Sequence, residues 1–108
     1  MHGMGMNKDR VENLSNFIRY ATKSRYVVNC EIGNGNFDSM VAPIKAQVEE
    51  LSYCINRDKR LEKGFIAVGY SQGGYLFRNY IQSYNHVRYP VLRFIGLSSP
   101  LGGMYCGD

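Results

Sequence analysis

Phe65-Ile-Ala-Val-Gly-Tyr-Ser-Gln-Gly-Gly74 decides the fold. The run from Phe65 to Tyr70 is apolar and of strand length, and Gly69 to Gly74 makes a tight Gly-rich turn. Leu76, Phe77, Tyr80, Ile81 and Tyr84 then recur on one helical face. Beyond Pro90, Val91-Leu-Arg-Phe-Ile-Gly-Leu97 reads as another strand. A strand, a helix and a second strand in close succession predict parallel pairing through a helical crossover.

Upstream, the pattern repeats. Val11, Leu14, Phe17, Ile18 and Ala21 define a first helix, and Asp9 with Glu12 resembles a capping box. Arg25 to Ile32 is short and β-branched, bounded by Gly33-Asn-Gly-Asn36, and predicts a strand running into a loop. Val41, Ile44, Val48, Leu51 and Ile55 mark a further helix whose regular part starts near Pro43 and stops near Asn56. The order is helix, strand, helix, strand, helix, strand, with a loop-like tail from Ser98 to Asp108.

The chain has 108 residues, enough for one domain. An apolar fraction of 44% and a charged fraction of 20% are those of a folded globular chain, against disorder. No run approaches the ~18 apolar residues of a membrane span, and no apolar signal segment follows Met1. Net charge is +4, but Lys and Arg are scattered. The densest run, Arg57 to Lys63, also holds Asp58 and Glu62, so it reads as a solvated face and no nucleic-acid partner is expected. Cys30, Cys54 and Cys106 lack metal-ligand spacing and allow at most one internal disulfide. No metal or cofactor is implied.

Gly69-Tyr70-Ser71-Gln72-Gly73 fits G-x-S-x-G, and its place between a strand and a helix is the setting of a nucleophile elbow. A serine on such a turn needs small neighbours, presents its hydroxyl above the sheet, and faces the free N–H groups of the new helix. The competing reading is a serine that merely caps the helix. At the other end, His2-Gly3-Met4-Gly5 suits a loop that turns a backbone N–H towards a substrate oxygen. His2 is then structural.

Together with Glu31-Ile-Gly33, the Gln47-Val48 helix and the Leu92 to Gly103 segment, these motifs resemble the palmitoyl-protein thioesterase family of α/β-hydrolases over nearly the whole chain. The resemblance implies a partial α/β-hydrolase core over residues 1–108: a three-layer sandwich with a parallel sheet of about three strands and flanking helices. It implies Ser71 as nucleophile, with the backbone N–H groups of Met4 and Gln72 as oxyanion hole. It implies hydrolysis of long-chain acyl thioesters on lipidated cysteines, S-acylated proteins or acyl thioesters as partners, no stable membrane insertion, and a lysosomal or secretory setting for a complete member.

The resemblance also marks departures. The triad order is Ser…Asp/Glu…His, yet only His86 and Asp108 follow Ser71, in the reverse order. By resemblance, the family's acid, histidine and acyl-groove insertion lie past Asp108. The strand feeding the first glycine loop, absent before Met1, belongs between the Tyr26 and Phe65 strands, so two backbone edges are expected to stand unpaired. The sequence therefore reads as a fragment, a truncated gene model or a degenerate copy, with negligible turnover expected of these 108 residues alone. The alternatives are a non-catalytic remnant and an ester lipase of the same fold. The family's helix cysteine falls near Cys54, but its partner position is Tyr84; Cys106 falls where another short-range bridge begins. Asn13-Leu14-Ser15 is a glycosylation sequon inside a predicted helix.

Overall fold

The computed structural model describes residues 1–23, 25–84, 87–103 and 105. Asn7 caps a 3-10 turn at Lys8–Val11, its side chain accepting the Arg10 amide, and α1 follows at Glu12–Ala21. The capping box at Asp9 is thus replaced by an asparagine cap two residues earlier. A short α2 at Asp38–Val41 precedes α3 at Ile44–Asn56. Pro43 separates them because its φ of −54° is paired with an extended ψ of 141°. Then come β1 (Phe65–Tyr70), α4 (Gln72–Ser83) and β2 (Val91–Leu97).

β1 and β2 pair in parallel, from Phe65 opposite Val91 to Tyr70 opposite Leu97, with a bulge beside Phe65 and Ile66. Gly69 lets α4 lie on the sheet, because a Cβ there would collide with the backbone of Gly73 and Gly74. α4 buries Leu76, Phe77 and Tyr80 on this face, and α3 packs beside it through Val48, Leu51 and Ile55. Cys30, Ile32, Ala67 and Tyr89 complete the same core.

The described residues form two strands rather than three. Arg25 to Ile32, expected as a strand, forms none here and belongs to no ladder. A strand needs a neighbour for its backbone groups, and among the described residues the backbone that reaches the other edge of β1 is that of Met1. Its nitrogen donates to Val68 O at 3.1 Å, and its carbonyl accepts the Tyr70 amide at 3.1 Å. The 25–32 segment is held by other means. The Ser15 hydroxyl donates to Asn29 Oδ1, and the Arg19 guanidinium donates to Val27 O. A Cys30–Cys54 disulfide ties the segment to α3. Cys54 is therefore bridged upstream. Tyr84, the position that the resemblance sets against Cys54, donates its hydroxyl to Glu49 Oε1 at 3.4 Å.

The layer opposite α4 is thin. Only Val11 of the first helical stripe is fully buried, while Phe17 is 66% exposed. On that side of the sheet Ile66 and Ile95 are open, at 57% and 46%. The predicted amphipathic stripe is correct in period, but α1 lies mostly against the 27–29 segment and does not cover the strands.

The disulfide closes a loop with a sequence separation of 24, which chain entropy values at about 3 kcal/mol. Reduction should lower the unfolding free energy by that amount, read as a fall in the denaturant midpoint, and Cys54→Ser should remove the sensitivity to reductant. A midpoint indifferent to reductant would show that the clip is not formed.

Candidate active site

Ser71 sits between β1 and α4 with φ 52° and ψ −122°. A non-glycine residue in this region is strained, by roughly 1–3 kcal/mol. Two backbone bonds hold it there. Its N–H donates to Leu97 O at 2.8 Å, and its carbonyl accepts the Gly74 amide at 3.0 Å. Its side chain makes no capping bond to α4, so the reading of Ser71 as a helix cap does not describe this turn. The hydroxyl has no hydrogen-bond partner among the described residues.

The surroundings are glycine because backbone fills the space. A Cβ on Gly73 would lie 2.6 Å from the carbonyl oxygens of Met1 and His2. A Cβ on Gly74 would collide with Ser99, whose hydroxyl is shared between Gly69 O and Leu97 O at 3.3 Å each. A Cβ on Gly3 would lie 3.1 Å from the Ser71 Cβ. The fold thus brings the His2–Gly5 loop, the Ser71 turn and the start of α4 into direct contact.

Both candidate donors are free. The Gln72 N–H belongs to the first turn of α4, which has no intrahelical acceptor. The Gln72 side chain is turned inward, 8% exposed, with its Oε1 unpartnered among the described residues. Met4 is 44% exposed, and its N–H bonds to none of the described residues. The direction of that N–H is set by its peptide plane. Gly3 O faces His2 Nδ1 at 3.0 Å and the Met6 N–H at 3.3 Å, so the Met4 N–H of the same trans peptide points the opposite way.

His2 is 1% exposed. Its Nε2 accepts the Ile32 N–H at 3.2 Å, which assigns the ring proton to Nδ1 and its bond to Gly3 O. The imidazole is therefore neutral and structural, tying the glycine loop to the 25–32 segment. Burial pushes its pKa down, and the Met1 amine adds to this. The Gly3 carbonyl and Glu31 pull the other way.

A cavity of about 370 Å³ opens beside the serine turn, lined by Met6, Arg10, Val11, Leu14, Tyr70 and Leu97. His86, Asp108 and Cys106 lie outside the described residues. No group of three or more His, Cys, Asp or Glu side chains among the described residues could hold a metal ion. Ser39 and Gln47, both buried beneath the glycine loop, were not legible as site residues. The one signal was a glutamine between Ile44 and Val48 on an otherwise apolar helix face.

This chain matches the family model described as palmitoyl protein thioesterase over residues 1–108. It belongs to the palmitoyl protein thioesterase family. It is 36% identical over 105 residues to "Palmitoyl-protein thioesterase 3" of Dictyostelium discoideum, covering 97% of this chain and 36% of that protein. It is 34% identical over 106 residues to "Lysosomal thioesterase PPT2 homolog" of Drosophila melanogaster, covering 97% of this chain and 35% of that one. The chain thus spans about a third of the length of these two thioesterases.

The neutral His2 has a pH consequence. Unfolded, it takes up a proton near pH 6.5; folded, it resists until lower pH. Its contribution is complete above pH 6.5 and is lost as the pH falls from there through the folded value. The denaturant midpoint should therefore fall from pH 6.5 to 5, and His2→Gln should flatten that part. An unchanged slope there would reject the neutral clamp.

Proposed function

We propose that this chain supplies the nucleophile and oxyanion hole of a serine thioesterase that releases long-chain fatty acyl groups from lipidated cysteines. The observation that carries the reading is Ser71: a positive-φ serine between strand and helix, its hydroxyl uncommitted, against the glycine loop. Ser71 Oγ attacks the thioester carbonyl while a histidine from the remainder of the protein takes its proton. The Met4 and Gln72 N–H groups receive the oxyanion, each such donor being worth about 3 kcal/mol. The tetrahedral intermediate collapses to acyl-Ser71 and a cysteine thiolate. With a solution pKa near ~8.5, that thiolate needs less acid assistance than an alkoxide. The histidinium gives its proton to the departing sulfur; the freed histidine then deprotonates water, which attacks the acyl-enzyme, and returns that proton to Ser71 Oγ as the fatty acid leaves.

The mainly apolar cavity beside Tyr70 supports an acyl substrate at this serine, since each buried methylene contributes ~0.8 kcal/mol. No helix among the described residues is long and apolar enough to cross a membrane. The Cys30–Cys54 disulfide supports an oxidising setting, such as the secretory route to a lysosome.

The test is hydrolysis of a palmitoyl-thioester peptide and its oxygen-ester analogue by the complete enzyme carrying this chain. Ser71→Ala should lower kcat by about 10⁴-fold or more, and the thioester should be the preferred substrate. Activity surviving Ser71→Ala would remove the nucleophile assignment; equal or greater turnover of the oxygen ester would move the assignment to an ester lipase.

A further inference from the structure

The glycine loop is tied down at a second point that the chemistry above does not use. His2 anchors its start; Gly5 anchors its end, donating its N–H to Ser39 Oγ at 2.9 Å. Between the anchors, Gly3 to Met6 form a turn closed by the Met6 N–H to Gly3 O bond, and Gly5 takes φ 66° within it. In such a turn the Met4–Gly5 peptide plane can flip at little steric cost, because glycine accepts either sign of φ. The Ser39 hydroxyl fixes which side of that plane carries the N–H.

Ser39 is built for this position. It is fully buried in α2, and its Oγ donates to Asn36 O at 3.0 Å, which leaves a lone pair for Gly5. Its own carbonyl accepts Gln47 Nε2 at 3.3 Å, and the same nitrogen donates to Ala42 O at 2.7 Å. Gln47 reaches both carbonyls from α3 with its Oε1 left buried and unpartnered among the described residues. An apolar residue at position 47 would avoid that orphan but would release α2. A costly polar chain running from α3 through α2 to a surface glycine is hard to ascribe to core packing alone.

We propose that Ser39 is a positioning residue for the thioester hydrolysis inferred above: through the Gly5 amide it pins the far end of the Gly3–Met6 turn, so that the turn cannot swing about its His2 anchor and carry the Met4 N–H away from the carbonyl oxygen over Ser71. Met4 lies between the two anchors and has no tether of its own among the described residues. A loop held only by His2 would disperse the direction of that N–H, and misaim at an oxyanion donor is felt in kcat before KM.

The experiment has a structural arm independent of catalysis. In the unsubstituted chain within the complete enzyme, the Gly5 amide should exchange at least about tenfold more slowly than in an unstructured peptide. Ser39→Ala should abolish that protection while the α3 amides of Leu51 and Ile55 keep theirs. In the complete enzyme, Ser39→Ala should lower kcat on a palmitoyl thioester by about tenfold or more with KM within about twofold. Ser39→Thr, which keeps the hydroxyl, should restore both readouts. The proposal is overturned by an unprotected Gly5 in the unsubstituted chain, by wild-type kcat in a Ser39→Ala enzyme that has lost Gly5 protection, or by a folded Ser39→Thr enzyme as impaired as the alanine variant. If Ser39→Ala fails to fold, the unsubstituted chain and the threonine variant decide. Activity persisting in Ser71→Ala would instead remove the hydrolase reading, leaving the Gly5 exchange result to stand on its own.

Discussion

The structure depends on backbone meeting backbone at the start of α4. The carbonyl oxygens of Met1 and His2 rest where a Cβ on Gly73 would be, and Gly3 lies where a side chain would strike Ser71. This contact joins residues about 70 apart in the chain and makes one surface from two loops. A methyl group at either glycine would force the loops apart, because the atoms in the way are backbone or the β-carbon of Ser71 and have little freedom to yield. The strained φ of Ser71 belongs to the same constraint. The serine is held between the Leu97 carbonyl and the first turn of α4, with its hydroxyl left over.

The rest of the fold holds those two loops in place. α4 buries Leu76, Phe77 and Tyr80 against the sheet and α3, so the turn at Ser71 is the rigid end of a packed helix. The glycine loop has no such backing of its own. It is fastened through polar groups: His2 to Ile32 and Gly5 to Ser39. Ile32 belongs to a segment kept close by the Cys30–Cys54 bridge and by α1, without strand pairing. The loop 33–39 is stiffened in turn. Glu50 accepts the Gly33 amide and Asp38 the Asn34 amide. Acidic side chains on helices α2 and α3 thus hold the floor on which the glycine loop rests, an arrangement with little in common with a hydrophobic core.

Two features reflect the sheet's limited extent. On one side, Met1 provides a single rung on the free edge of β1. On the face away from α4, Ile66 and Ile95 are open, and only the start of α1 approaches, over Tyr70 and Leu97. A cavity remains at that end, next to Ser71. The apolar stripe of α1 therefore has correct helical spacing with most of its side chains uncovered; period reports local conformation, whereas burial needs a neighbour.

The sequence by itself determined the elements whose causes are local. The bounds of β1 and β2, the stripe of α4, the end of α3 at Asn56 and the strand–serine–helix junction all follow from period, from Gly and Pro, and from residues within a few positions of each other. The family could be read the same way, because its glycine motifs are contiguous. Tertiary structure alone decided the rest. Whether Arg25 to Ile32 became a strand depended on what lay beside it. Cys54 could have bridged in either direction until Cys30 was seen at a Cα separation of 5.9 Å. His2, Ser39 and Gln47 drew no attention as a set because nothing in their spacing links them. They act together only because the fold brings residues 2, 32, 39 and 47 around one glycine turn, where buried polar groups must find partners in one another.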